Sequence, residues 1–284
     1  MNLVPPLVAV AHGSKDPRAA ATITDLLSVV RARAGRPGLE TRAAFLDHCV
    51  PSLPRVLSAL AEGGPGGPGA LGGQAGADTA PADVVVVPLL LTAAYHAKTD
   101  IPAQVAAARR PGLRIGQASA LGPHPLLLSA LERRLAEAGS GCASRAETCV
   151  VLAAAGSSDP VANATITALA AQWEVTGGWR RVLPAFASAS GPAAPGLTPA
   201  EAVRVLRQMP GGGPVVVASY VLAPGHFADK IRVQGSQAGA TAVSAPLGPA
   251  PEVADVVLDR YLAAVPMSIL ASNQTDRGDA LVWA

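Results

Sequence analysis

Three of the five histidines in the chain share a setting that suits chemistry. His12 closes the apolar run Val8-Ala9-Val10-Ala11 and is followed by Gly13-Ser14. His96 comes shortly after the valine-rich run Val84–Leu91, and His226 stands in the corresponding place of a second, similar stretch. Imidazole changes charge near physiological pH, so it can ligate a metal ion or accept a proton. Two such groups facing one cleft can do both. All three lysines lie beside these histidines: Lys15 after His12, Lys98 after His96 and Lys230 after His226. A compact ammonium next to each imidazole fits an anionic ligand. His48 and His124 lack this setting and read as loop or core histidines held by ordinary hydrogen bonds.

The elements that must position these groups come as a repeat. Residues Ala11 to Ile23 match Ala154 to Ile166 at nine of 13 positions. A second echo pairs the region before His96 with that before His226. A third pairs Leu121-Gly122-Pro123-His124-Pro125 with Leu247-Gly248-Pro249-Ala250-Pro251. Three echoes in the same order indicate a duplicated unit. Each copy alternates strand-like and helix-like segments. In the first, strands are expected at Leu7–Ala11, Thr41–Leu46, Val84–Leu91 and Leu113–Ala118. Helices are expected at Pro17–Arg33, Ser52–Ala61, Ile101–Ala108 and Pro125–Glu137. The second copy places strands near Thr148–Ala153, Val182–Ala187, Val215–Val221 and Ala240–Ser244.

Near-continuous valine runs suit strands buried on both faces of a parallel sheet. Alternation of β and α then gives two tandem α/β domains, each a mostly parallel sheet flanked by helices. The expected division is residues 1–142, residues 143–265 and a polar tail over 266–284. Within the first unit, residues 63–82 read as a flexible insertion, since 11 of those 20 residues are Gly or Pro. Ligands of parallel α/β sheets gather at the carboxyl ends of strands, where His12, His96 and His226 all fall. The second copy carries Ala155 where the first has His12, so the active site is expected in the first.

Composition narrows the classes. Of 284 residues half are hydrophobic, which excludes a disordered chain. A net charge of +2 and 3% aromatic residues argue against nucleic-acid binding. The cysteines Cys49, Cys142 and Cys149 form no CxxC pair, so neither a disulfide framework nor a zinc site is indicated. The first residues have no basic leader, and the longest apolar stretch, Val84 to Ala94, is too short to span a bilayer. A cytoplasmic protein with no membrane partner is expected.

The pattern Val8-Ala9-Val10-Ala11-His12-Gly13-Ser14, then Asp16-Pro17, resembles the first motif of the sirohydrochlorin chelatases, the class II tetrapyrrole metal chelatases. Pro88-Leu89-Leu90-Leu91 with His96 and Asp100-Ile101-Pro102 is similar to their second motif. Phe45-Leu46-Asp47 is similar to a family segment that usually ends in Glu. Ala223-Pro224-Gly225-His226-Phe227-Ala228-Asp229 resembles the second motif again, in the other half. The resemblance covers about residues 5–265. It implies two chelatase-like domains of the flavodoxin or Rossmann kind and a lyase that inserts a divalent ion into sirohydrochlorin without ATP. Iron would serve sirohaem synthesis and cobalt cobalamin synthesis; nickel suits imidazole ligands equally.

By this resemblance His12 and His96 jointly deliver metal and accept protons. Asp47 and His226 are accessory, and Lys15, Lys98 and Arg18 bind the carboxylate rim of the macrocycle. No organic cofactor is implied, the ion being a substrate, and a monomer or a homodimer would serve. Ser158 replaces the lysine of position 15 in the second copy, which therefore supplies the opposite wall of the cleft. Two other readings compete. The same histidines would serve a non-catalytic tetrapyrrole or metal carrier. A histidine phosphatase also has a histidine after its first strand, but Ala11 stands where that family has Arg. No GxGxxG follows a strand, so a dinucleotide site is the weakest reading.

Overall fold

The structure is a computed structural model that describes residues 4–35, 38–62, 82–92, 99–109, 113–139, 144–188 and 196–265. His96, Lys98, Cys142, the 266–284 tail and nearly all of the glycine-rich insertion lie outside the described residues.

Two four-stranded parallel sheets form, each from one half of the chain. The first is built from β1 (Leu7–Ala11), β2 (Thr41–Phe45), β3 (Ala82–Pro88) and β4 (Leu113–Gln117), in the order β2-β1-β3-β4. The helices of this half are α1 (Pro17–Arg33), α2 (Leu53–Ala61), α3 (Ile101–Ala108) and α4 (Pro125–Glu137). The second sheet uses β5 (Cys149–Ala154), β6 (Arg181–Phe186), β7 (Val215–Tyr220) and β8 (Ala242–Val243), in the order β6-β5-β7-β8. Its helices are α5 (Pro160–Gly177), α6 (Pro199–Arg207), α7 (His226–Gln237) and α8 (Pro251–Ala264). No described helix is long and apolar enough to cross a membrane.

The expected α/β class and nearly every expected segment are present. A proline in the first turn opens every described α-helix but α7, and side-chain caps stand before α1, α4, α5 and α6. Asp16 accepts from the Arg18 amide at 2.9 Å and Asp159 from the Val161 amide at 2.9 Å. Several ends shift by a residue or more, β3 closing at Pro88 rather than Leu91, and two other boundaries change the sheets. Ala82, expected inside the insertion, is the first residue of β3 and pairs with Leu113. β8 is two residues rather than five, because the ladder to β7 ends at Val217↔Val243. Beyond it, side chains take over. The buried Ser244 hydroxyl accepts from the Ser219 amide at 2.9 Å, while the Ser219 hydroxyl donates to the Ser244 carbonyl at 2.8 Å.

Alternation along the strands sorts the core into layers. Val8 and Val10 of β1 pack with α2 and α3 on the outer face of the first sheet. Val151 and Val217 pack with α6 and α7 on the outer face of the second. Leu7, Ala9, Val150 and Leu152 all point to one central cluster, which joins the two halves. The helices of that central layer are exchanged. α8, from the second half, packs on α1 and β3, whereas α4, from the first half, packs on β7.

Polar anchors fix the exchange. The buried Tyr261 hydroxyl of α8 donates to the Pro5 carbonyl at 2.6 Å. Arg260 donates to the carbonyls of Ala120 and Leu121 at 2.8 and 3.0 Å. From the other side, Trp173 Nε1 of α5 donates to Glu132 of α4 at 3.1 Å.

Candidate functional site

The turn after β1 is built by small residues and hydroxyls, and the turn after β5 copies it. Gly13 and Gly156 have φ of +92° and +87°. The Ser14 hydroxyl accepts from the Asp16 amide at 3.1 Å, and the Ser157 hydroxyl from the Asp159 amide at 3.0 Å. At Gly13 the missing side chain is also required by space, since a Cβ there would lie 1.8 Å from the Asp47 carbonyl oxygen. That approach brings the loop after β2 against the loop after β1. The Asp47 amide donates to the His12 carbonyl at 2.9 Å, and Cys49 Sγ donates to the Ser14 carbonyl at 3.0 Å.

The result is a pair of imidazoles. The rings of His12 and His48 lie 6.4 Å apart, centroid to centroid, tilted by 42°. His12 Nδ1 stands 3.3 Å from the Gly13 carbonyl oxygen. His48 has φ of +61°, the left-handed region that a residue with a side chain seldom enters. Asp47 Oδ1 accepts from the His48 amide at 2.7 Å, and Asp47 Oδ2 lies 3.4 Å from His48 Nε2.

Both histidines line a cavity of about 540 Å³ between the two halves, within the usual size of small-molecule sites. Lys15 stands on the same side, and His226 with Phe227 on the opposite side. The floor is apolar, with Ile23, Phe45 and Leu89 from the first half and Val221 and Leu222 from the second. His226 opens α7 directly after Gly225, whose φ is +146°. A cavity with an apolar floor and imidazoles plus an ammonium at its sides can take a flat, anionic organic ring together with a metal ion.

Of the residues picked from the sequence, the structure brings together His12, Lys15 and His226. Asp47 is not a wall residue; its exposed carboxylate serves His48 instead. Arg18 also stands outside the wall. Its guanidinium pairs with Asp16 at 2.6 Å and with Asp229 of α7 at 2.8 Å, so it ties the two halves beside the cavity. Lys230 is half-buried on α7 and away from the wall. His124 caps α4, its Nδ1 accepting from the Leu126 amide at 3.2 Å, as its reading from sequence implied.

His48, read from the sequence as a loop or core histidine, also lines the cavity. The available signal was its position directly after Phe45-Leu46-Asp47. Among the described residues, no group of three or more His, Cys, Asp and Glu side chains is gathered to hold an ion.

Known proteins resemble this chain in sequence and in fold. The chain is 34% identical over 111 residues to the sirohydrochlorin ferrochelatase of Bacillus subtilis, a stretch covering 38% of this chain and 41% of that protein. It is 37% identical over 87 residues to the sirohydrochlorin cobaltochelatase of Priestia megaterium, covering 30% and 28% of the two chains. The matched stretches thus span less than half of either relative. The solved structure of SirB from Bacillus subtilis with Fe3+ superposes with a TM-score of 0.73 at 24% identity, over 95% of this chain and 98% of that one, a likeness of fold. The model of the CbiX family matches residues 6–67, 74–138 and 149–264, most of the sequence, and the chain belongs to the CbiX family.

Proposed function

We propose that this protein is a chelatase that inserts a divalent ion, iron or cobalt, into sirohydrochlorin without ATP. The observation that carries the reading is the cavity between the halves, with His12 and Lys15 on one side and His226 on the other. The names of the two curated relatives, a ferrochelatase and a cobaltochelatase, support both metals. Nickel and the choice between monomer and homodimer belong to the same proposal as lesser members.

Insertion exchanges two pyrrole N–H protons for one divalent ion, so the site must receive protons as it releases metal. Imidazole suits both tasks, since a neutral ring nitrogen is a ligand for iron and cobalt and a proton acceptor of matched strength. His12 stands at the carboxyl end of β1, where this exchange would occur. His96, which the family resemblance makes its partner, lies outside the described residues, as does Lys98. Lys15 offers a charge-assisted donor to the carboxylates on the ring's edge. The apolar floor would take the ring's face and exclude water, so that proton and metal exchange with side chains rather than with bulk solvent. The second half acts as the opposing wall, consistent with Ala155 in place of a histidine at its own strand end. Arg18 contributes by joining the walls and not by gripping substrate, because two carboxylates already occupy its guanidinium.

The test is spectral. Protein, sirohydrochlorin and Fe²⁺ or Co²⁺ are mixed without oxygen, and the Soret and visible bands are followed. Metallation faster than the protein-free background is expected. A stable complex of protein with ring and metal, at the background rate of insertion, would instead mark a carrier.

A further inference from the structure

We infer that Phe227 is a stacking platform on which the second half holds the flat face of the macrocycle. The inference deepens the proposed function, on which the identity of the ring rests. Among the described residues that leave a large apolar side chain in the open, Phe227 is the one with an aromatic ring. It is also the one of them that lines the cavity. A lone apolar side chain on open surface is ordinary. A phenyl ring left 41% exposed on the wall of a cavity is different, because a ligand seated there removes it from water.

The repeat supplies a comparison. His226 corresponds to His96 in the duplicated sequence, so Phe227 corresponds to Ala97. The halves thus differ in opposite senses. The first has His12 where the second has Ala155, and the second has Phe227 where the first has Ala97. An imidazole for ion and proton on one wall and an aromatic ring on the other suit a flat ligand held between them.

The first turn of α7 places the phenyl ring. A Cβ on Gly225 would stand 3.5 Å from Ser14 Oγ, so the start of α7 lies against the turn after β1. Arg18 reaches across to Asp229 at 2.8 Å and pins the same turn. The His226 ring stands against the phenyl at 67°, with centroids 5.4 Å apart, an edge contact that favours one orientation. The lining from the second half, Val221 to Ala228, includes no Asp or Glu to repel an anionic ligand. A phenyl ring offers neither charge nor hydrogen bond to the carboxylate rim. It can meet the conjugated face by offset stacking. The apolar floor then takes one face of the macrocycle and Phe227 the other.

Binding of metal-free sirohydrochlorin, followed by its fluorescence without oxygen or added metal, tests the platform apart from turnover. Phe227→Ala is expected to weaken binding about tenfold, and Phe227→Tyr, which keeps the ring, to restore it. Val233 lies on the same helix, is 39% exposed and stands outside the cavity wall. Val233→Ala should therefore bind as the parent does. Replacing an exposed side chain costs little stability, and melting temperatures confirm that each variant is folded. A folded Phe227→Ala protein that binds the ring as tightly as the parent would overturn the inference.

The unaltered protein gives a second reading. The chain has three phenylalanines, so their ring signals in NMR are few. The ring current of a stacked macrocycle should move the Phe227 signals upfield and leave those of the buried Phe186 in place. Phe227 signals that stay still or move downfield at saturation overturn the face contact. Turnover is scored separately. A parent that binds the ring through Phe227 yet metallates it no faster than background would defeat the proposed function and leave the platform standing. A parent that does not bind the ring would overturn both.

Discussion

His12 was legible in the sequence because its turn is written twice, with glycine, serine, aspartate and proline at the same spacing. Its neighbour His48 was not, because their nearness depends on a backbone contact between Gly13 and Asp47 that no local pattern encodes. Loop residues that meet across a sheet edge are set by how closely two turns approach, and single-sequence periodicity is silent on that. His124 was read correctly as structural, and the geometry adds a pH dependence to that reading. Burial holds its imidazolium below the ordinary range, Arg260 adds to this, and Asp259 opposes it. Its Nδ1 must also stay unprotonated to accept from Leu126.

A histidine whose folded form resists protonation contributes stability above the ordinary value of about 6.5, and that contribution is lost as pH falls below it. Asparagine caps helices well and does not titrate here. The melting temperature of the parent should therefore drop more between pH 7.5 and pH 5.5 than that of His124→Asn. Parallel pH profiles for the two proteins would contradict the argument.

Among the elements, the four helices of the first half were readable nearly to the residue, since a proline in the first turn marks each of their starts. What the pattern could not say is which sheet each helix covers. An apolar stripe on α8 or α4 reads the same whether it packs on its own half or on the other. The exchange emerges only from Tyr261 reaching Pro5 and Arg260 reaching Ala120 and Leu121, contacts between residues far apart in sequence.

This assigns Tyr261 a definite role. In Tyr261→Phe the ring still fills its place, but the Pro5 carbonyl loses its donor in a buried setting. Leaving such a group unmatched costs about 1–3 kcal/mol. Denaturant unfolding should show a loss of that order with an unchanged dependence on denaturant. By contrast, the half-exposed pair of Arg33 on α1 and Asp255 on α8 should contribute under about 1 kcal/mol.

Across the whole molecule, the repeat foretold two parallel sheets, and His12 and His226, picked out at strand ends, both line the cavity between them. It also gave two tandem units, residues 1–142 and 143–265, and the central layer knits these through exchanged helices. Residues 4–139 made alone would lack α8 and expose Leu7, Ala9, Val85 and Val87 of the central cluster. Such a fragment should be insoluble, and so should residues 144–265 made alone. Co-expression should return a soluble complex of the two. Independent solubility of either fragment as a folded monomer would mean that the exchange does not hold the halves together.

The same joining sets the cavity between two walls, with His12 and Lys15 on one and His226 on the other. The most direct test of the account is the initial rate of sirohydrochlorin metallation by Fe²⁺ or Co²⁺ without oxygen, compared between the parent and His12→Ala at matched folding. The account predicts that the parent exceeds the protein-free rate and that His12→Ala loses most of that excess. A parent no faster than background, or a His12→Ala protein as fast as the parent, would contradict it.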